Sequence, residues 1–181
     1  MNGGWWALSG VLCLLVAGCA QSTSNLLEHE VVQMSSLRIA SPVFSEGGFI
    51  PQKYTCRGMN INPPLTIDGI PPDTRSLVLI VDDPDAPMGT WTHWVLFNIP
   101  RILKIEENST PANATLGLTS SQNSSYSGPC PPSGTHRYFF RLYALNTTLG
   151  LGTGATRDHV EQAMIGHSIG EAKIMGKYTR S

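Results

Sequence analysis

The chain has 181 residues, 41% of them hydrophobic and 14% charged, which is room for one ordinary hydrophobic core. Twelve Lys and Arg against thirteen Asp and Glu give a formal net charge of -1, too weak a field to hold a polyanion, so nucleic acid is not an expected partner. Eighteen Gly and 13 Pro favour short strands joined by shaped turns over a helical bundle, hence a mainly β fold.

Residues 5–17 are apolar except for Ser9 and Gly10. That run is shorter than the roughly 20 residues a membrane-spanning helix needs, and it fits the core of a signal peptide. It ends in Leu15-Val16-Ala17-Gly18-Cys19, which resembles the bacterial lipobox, in which the cysteine thiol is lipidated before cleavage. The four residues before the run carry no Lys or Arg, a departure from the usual secretory pattern. The competing reading is a buried helix with an inert Cys19 thiol. The lipobox reading divides the chain into a signal peptide over 1–18, a lipidated polar tether over 19–36 and a folded domain over 37–181. More than one acyl chain would then hold the protein on a membrane, since a single chain binds only marginally. Ala20 rather than Asp after the cysteine favours a periplasm-facing position on the outer membrane.

In the body, 37–44 and 65–67 are weak strand candidates, the first confined to an edge or a bulge by Pro42. Stronger strands are predicted at 76–81, 94–99 and 138–145, each an apolar run bounded by turn formers, which suggests sheets covered on both faces. Residues 106–132 are polar and read as a long excursion of the kind that is functional or disordered. A helix is predicted from Thr156 as N-cap, with Asp158 and Glu161 near its positive end and Val160, Ala163, Met164 and His167 along one face; its end is expected at 166–170. A last strand should follow, from the alternation over 172–178. Asn-x-Ser/Thr matches at Asn108, Asn113, Asn123 and Asn146 are read as chance in a bacterial lipoprotein.

Two clusters combine stiff turns with titratable groups. Asp82-Asp83-Pro84-Asp85-Ala86-Pro87 follows an apolar strand and precedes Trp91-Thr92-His93-Trp94; Gly128-Pro129-Cys130-Pro131-Pro132 precedes Gly134-Thr135-His136-Arg137-Tyr138. Asp83 and Asp85 emerge at a strand end, where sites are commonly built. His136 and Tyr138, two apart on a strand, share one face. Taken singly, such residues are more often turn formers, rim packing or locally satisfied histidines. Cys56 and Cys130 admit a disulfide, two buried thiols or a reactive Cys130; export to an oxidising compartment favours the disulfide. No compact Cys/His spacing suggests zinc, and no cofactor is expected.

Together these motifs resemble the phosphatidylethanolamine-binding proteins. The residues that carry the likeness are the Asp-Pro-Asp-Ala-Pro turn, Trp-x-His-Trp and Gly-x-His-Arg-Tyr. A bacterial subset adds Tyr54-Thr55-Cys56-x-Gly58, Asn62-Pro63-Pro64-Leu65, Cys130-Pro131-Pro132 and the ending from Ala163-Met164-x-Gly166-His167 to Gly176-x-Tyr178. The resemblance implies an antiparallel β-sandwich with a C-terminal helix and short peripheral helices. It also implies a pocket for phosphate-like or acetate-like anions, lined by Asp83, Asp85, His93, Pro131 or Pro132, His136 and Tyr138, with Arg137 bracing the loop. Carboxylates repel phosphate, so the expected protonation logic has Asp83 or Asp85 holding His93 and His136 charged as donors. The leading reading is a non-enzymatic binding module for a small anionic or phospholipid-like ligand that modulates a partner protein. The alternative is a hydrolase using His93 and His136 as acid and base. The partner and the oligomeric state, a homodimer included, are left open by the sequence.

Overall fold

The computed structural model describes residues 36–180; the leader, Cys19 and the tether up to residue 35 lie outside them. Eight strands and one α-helix follow in chain order: β1 (Arg38–Ala40), β2 (Leu65–Asp68), β3 (Ser76–Asp83), β4 (Trp91–Ile99), β5 (Lys104–Ile105), β6 (Thr115–Leu116), β7 (Gly134–Leu145), α1 (Arg157–Met164) and β8 (Ser168–Arg180). A single 3-10 turn, Gln52–Tyr54, is the one short peripheral helix among the described residues.

The strands form two antiparallel sheets, one of three strands in the order β1-β2-β5 and one of five in the order β6-β4-β3-β7-β8. Every residue of β3 is buried, because its two faces meet two different cores. Leu77, Leu79 and Val81 join Trp94, Leu96, Tyr138, Phe140 and Leu142 of the large sheet with Ile39, Leu65, Ile67 and Ile105 of the small one. Val78 and Ile80 turn the other way, to Val95, Phe97, Leu149, Val160 and Met164 beneath α1. This explains why β3 reads as a continuous apolar run without alternation. Burying side chains as large as Trp94, Phe97 and Phe140 contributes on the order of 1.5–3 kcal/mol each, enough to hold the sandwich closed.

The elements exceed or fall short of their sequence reading for identifiable reasons. β1 stops at Ala40, before Pro42, which lacks the N–H a longer strand needs. β7 and β8 run longer than their apolar cores because each pairs with the other from Gly134↔Arg180 to Leu145↔Ser168. α1 begins as expected, with Thr156 accepting from the His159 backbone N–H. It ends at Met164, earlier than expected, with Gly166 at φ +77° turning the chain into β8. His167 therefore lies beyond the helix, bonded to Asn146. The excursion over 106–132 is ordered by β4: Gly117, Ser120 and Ser127 donate their backbone N–H groups to Val95, Thr92 and His93 carbonyls.

Candidate functional site

Alternation at the end of β3 sends Asp82 and Asp83 to opposite faces. Asp82 points to the helix side, where Arg141 Nε lies 2.8 Å and Arg157 Nη1 3.1 Å from its Oδ2. Asp83 points to the sandwich side, where its Oδ2 accepts from His136 Nδ1 at 2.7 Å and its Oδ1 accepts from the Asp85 backbone N–H at 2.8 Å. The second bond closes the Asx turn that Pro84 stiffens.

His93 arrives by a device that sequence pattern does not display. Val81 pairs with Trp94 but Asp82 pairs with Thr92, so His93 is an extra residue in β4, a bulge that re-aims its side chain. The bulge lets the neighbours His93 and Trp94 both serve the sandwich side: Trp94 enters the core edge-on to Tyr126, at 5.5 Å between ring centroids, and His93 stands edge-on to Tyr138, at 5.2 Å. His93 Nδ1 donates to the Ser127 carbonyl at 2.6 Å.

The loop that supplies this carbonyl is clipped to the segment around the 3-10 turn. Cys56 and Cys130 form a disulfide with Cα atoms 5.4 Å apart. Cys56 N–H donates to Pro129 O, and Gly128 N–H to Asn60 Oδ1. Glycine is required at 128, because a Cβ there would collide with the Tyr54 carbonyl oxygen.

These elements enclose a cavity of about 390 Å³ lined by Asp83, His93 and His136, the apolar Ala86, Pro87, Met88, Trp91 and Pro132, and the loop residues Ser121, Ser127, Gly128 and Cys130. Two other depressions are as large, about 400 Å³ beside the start of α1 and about 440 Å³ along β1. Neither contains a histidine, so chemistry rather than size singles out the Asp83 cavity. Among the described residues no group of three His, Cys, Asp or Glu is arranged to hold a metal ion.

Three of the residues expected in the pocket stand elsewhere. The Asp85 carboxylate is not part of the wall: Arg137 grips it with Nε at 2.9 Å and Nη2 at 2.6 Å, and adds its backbone N–H at 2.9 Å. That guanidinium holds the Asp85 carboxyl down at about 2 and fastens the 84–90 turn to β7. Pro131 is buried, and Pro132 lines the cavity. Tyr138 lies fully buried beneath His93, its hydroxyl near the Asp83 carboxylate and the Cys130 backbone but in good hydrogen-bonding geometry with neither. Burial, reinforced by the charge of Asp83, pushes its phenol far above the ordinary value.

The expected protonation logic changes accordingly. Asp85 is committed to Arg137 and acts on His136 only through space. His93 meets a carbonyl rather than a carboxylate, and burial pushes it below the ordinary imidazole value against the opposing pull of the Ser127 carbonyl, Asp83 and Asp82. The lining residues that sequence reasoning did not single out for the cavity, Ala86, Met88, Ser121, Ser127 and Gly128, carry no chemical signal of their own. The strongest contact, from Ser127, uses a main-chain oxygen that any residue could supply.

Residues 40–179 match the sequence profile of the family described as phosphatidylethanolamine-binding protein. The chain belongs to that family. Among its relatives, a UPF0098 protein of Methanothermobacter thermautotrophicus is 51% identical over 150 residues, covering 80% of this chain and 99% of the relative. The UPF0098 protein PH1269 of Pyrococcus horikoshii is 47% identical, covering 80% and 77%. Two crystal structures share the family fold. CT736 of Chlamydia trachomatis, described as a homologue of the family, superposes with a TM-score of 0.79 at 38% identity, covering 81% of this chain and 99% of that one. YbcL of E. coli, described as a new member of the mammalian family, gives 0.76 at 26% identity with the same coverage.

Proposed function

We propose that the protein is a binding module whose Asp83–His93–His136 cavity holds a phosphate-type anion, from a phospholipid headgroup or another phosphorylated ligand. We further propose that Cys19 tethers it to the periplasmic side of a bacterial envelope membrane, where the occupied domain modulates a partner protein. One observation carries the binding reading: both imidazoles are fixed by their Nδ1 corners, to Ser127 O and Asp83 Oδ2. Their Nε2 corners are thereby set at a cavity whose remaining wall is largely apolar, the arrangement of a small-molecule site with a few placed polar groups. The tether is supported by the sequence Leu15-Val16-Ala17-Gly18-Cys19.

The Asp83–His136 pair also fits the hydrolase alternative, since a carboxylate-oriented imidazole is the usual form of a catalytic base. Against it, Cys130 is spent in the disulfide and is no nucleophile at the cavity. Thermal unfolding with inorganic phosphate separates the readings: the wild-type protein should be stabilised by about 2.7 kcal/mol at a hundredfold excess over Kd, and His136→Ala should lose that response. Stabilisation that survives His136→Ala removes the site, and steady turnover of p-nitrophenyl phosphate or acetate that His136→Ala abolishes replaces binding by hydrolysis.

A further inference from the structure

Four Asn-x-Ser/Thr matches, at Asn108, Asn113, Asn123 and Asn146, have no part in the cavity reading. Nine Asn and 32 Ser or Thr among 181 residues would give about two such matches by chance. Relatives of the chain occur in the archaea Methanothermobacter thermautotrophicus and Pyrococcus horikoshii, and archaea, like some bacteria, attach sugars to asparagines of exported proteins. All four asparagines are exposed, but they differ in what holds them. Asn123 Oδ1 accepts from Thr119 Oγ1 at 3.0 Å, and Asn146 Oδ1 meets His167 Nδ1 at 3.1 Å. The side chains of Asn108 and Asn113 make no hydrogen bond among the described residues.

Asn108 and Asn113 stand in turns with a left-handed backbone, at φ +50° and +65°, a conformation that asparagine tolerates better than most residues. Asn62, 4% exposed, braces the first turn: its carbonyl accepts from Asn108 N–H at 3.2 Å and its Oδ1 from Ser109 N–H at 2.9 Å. Both carboxamides are thus exposed on ordered turns and uncommitted. The segment that carries them, 106–114, joins β5 to β6. β5 is an outermost strand of the small sheet and β6 of the large one. Such edges offer unpaired N–H and C=O groups to other chains, and proteins commonly cover them.

We infer that Asn108 and Asn113 are N-glycosylated when the chain is exported, and that the attached sugars cover the β5–β6 edge of the sandwich. This rests on the export half of the function proposed above and is independent of the anion cavity. The donor is a sugar chain linked through phosphate or diphosphate to a polyprenol. A bond forms between Asn Nδ2 and the sugar C1 as the C1–O bond breaks; the polyprenyl phosphate leaves with the electron pair, and the displaced amide proton passes to a base of the transferase. The product is a bulky, solubilising group on a surface turn.

Mass spectrometry of tryptic peptides from the full chain, purified from its own cells and reduced, tests this. Trypsin releases residues 105–137, which hold Asn108, Asn113 and Asn123, and residues 142–157, which hold Asn146. The first peptide should carry sugar at both Asn108 and Asn113, and the second none. Thr110→Val and Thr115→Val each remove the hydroxyl of one match and leave the left-handed asparagine in place, and each should lose the sugar of its own site alone. A bare 105–137 peptide from chains that have lost their leader overturns the inference and leaves the anion cavity standing; a bare peptide from chains that keep it overturns export as well. Sugar confined to Asn123 or Asn146 overturns the assignment to the β5–β6 edge. The double valine variant should keep the wild-type urea midpoint and associate faster on mild heating, and equal rates of association overturn the covering role.

Discussion

Asp82 and Asp83 are adjacent, identical and almost equally buried, at 0% and 3% exposure, yet they serve opposite sides of one strand. On the helix side, Asp82 is clasped by two guanidinium groups from β7 and α1, and the cluster ties three elements together. On the sandwich side, Asp83 holds one imidazole whose other corner is set at a cavity. A carboxylate whose neighbours all point at it is a buttress. One that orients an imidazole toward a cavity is a candidate site.

This contrast is sharpened by perturbing each side, beginning with the largest effect. The cavity side is the one stapled by a disulfide, between cysteines 74 positions apart. Replacing both by serine should cost about 4 kcal/mol in urea unfolding, from the loop entropy regained by the unfolded chain. A cost below about 1 kcal/mol would mean that the hydrogen bonds of Cys56 and Gly128 secure the loop unaided. Asp82→Ala strands two arginines that are only partly exposed, and should cost about 3 kcal/mol while leaving the response to phosphate intact. Asp83→Ala should reverse that pattern, costing about 1–2 kcal/mol and abolishing the phosphate response. If the two variants behave alike, the division between buttress and site is wrong.

The smallest effect is acid sensitivity. Asp85 has a folded pKa of about 2 against an ordinary 3.8, so the unfolded state takes up its proton first. Its contribution is present above about pH 4 and lost as pH falls toward 2. Because the Arg137 pair is partly exposed, solvent screening reduces this contribution to about 1 kcal/mol. His93 is also lowered, so stability should begin to decline as pH falls below its ordinary value near 6.5, for the same reason: the unfolded ring binds the proton more readily. Urea midpoints across pH 2–7 should show Arg137→Ala losing the lower step and keeping the upper.

The sequence made the sandwich legible because β3, β4 and β7 are long apolar runs whose length and punctuation leave few alternatives, and because Thr156 is a strong cap. It also brought Asp83, His93 and His136 into one group, since their motifs share an order with a known family. What it could not display depends on three-dimensional bookkeeping. Asp85 and Asp83 look equivalent in a Pro-rich turn until Arg137, 52 residues later, claims one of them. Asp82 cannot be told from Asp83 without knowing which face each takes. The bulge at His93 is a mismatch between two strands, invisible in either alone, and Ser127 contributes only main chain.

On the proposed function, His93 and His136 face one anion while His159 and His167 do not. Nitrogen-detected NMR of the imidazole rings during titration with inorganic phosphate tests it directly, with His159 and His167 as internal controls outside the cavity. The Nε2 resonances of His93 and His136 should move together and saturate at one concentration while those of His159 and His167 stay still. Uniform small drifts in all four, or shifts in the controls alone, would contradict it.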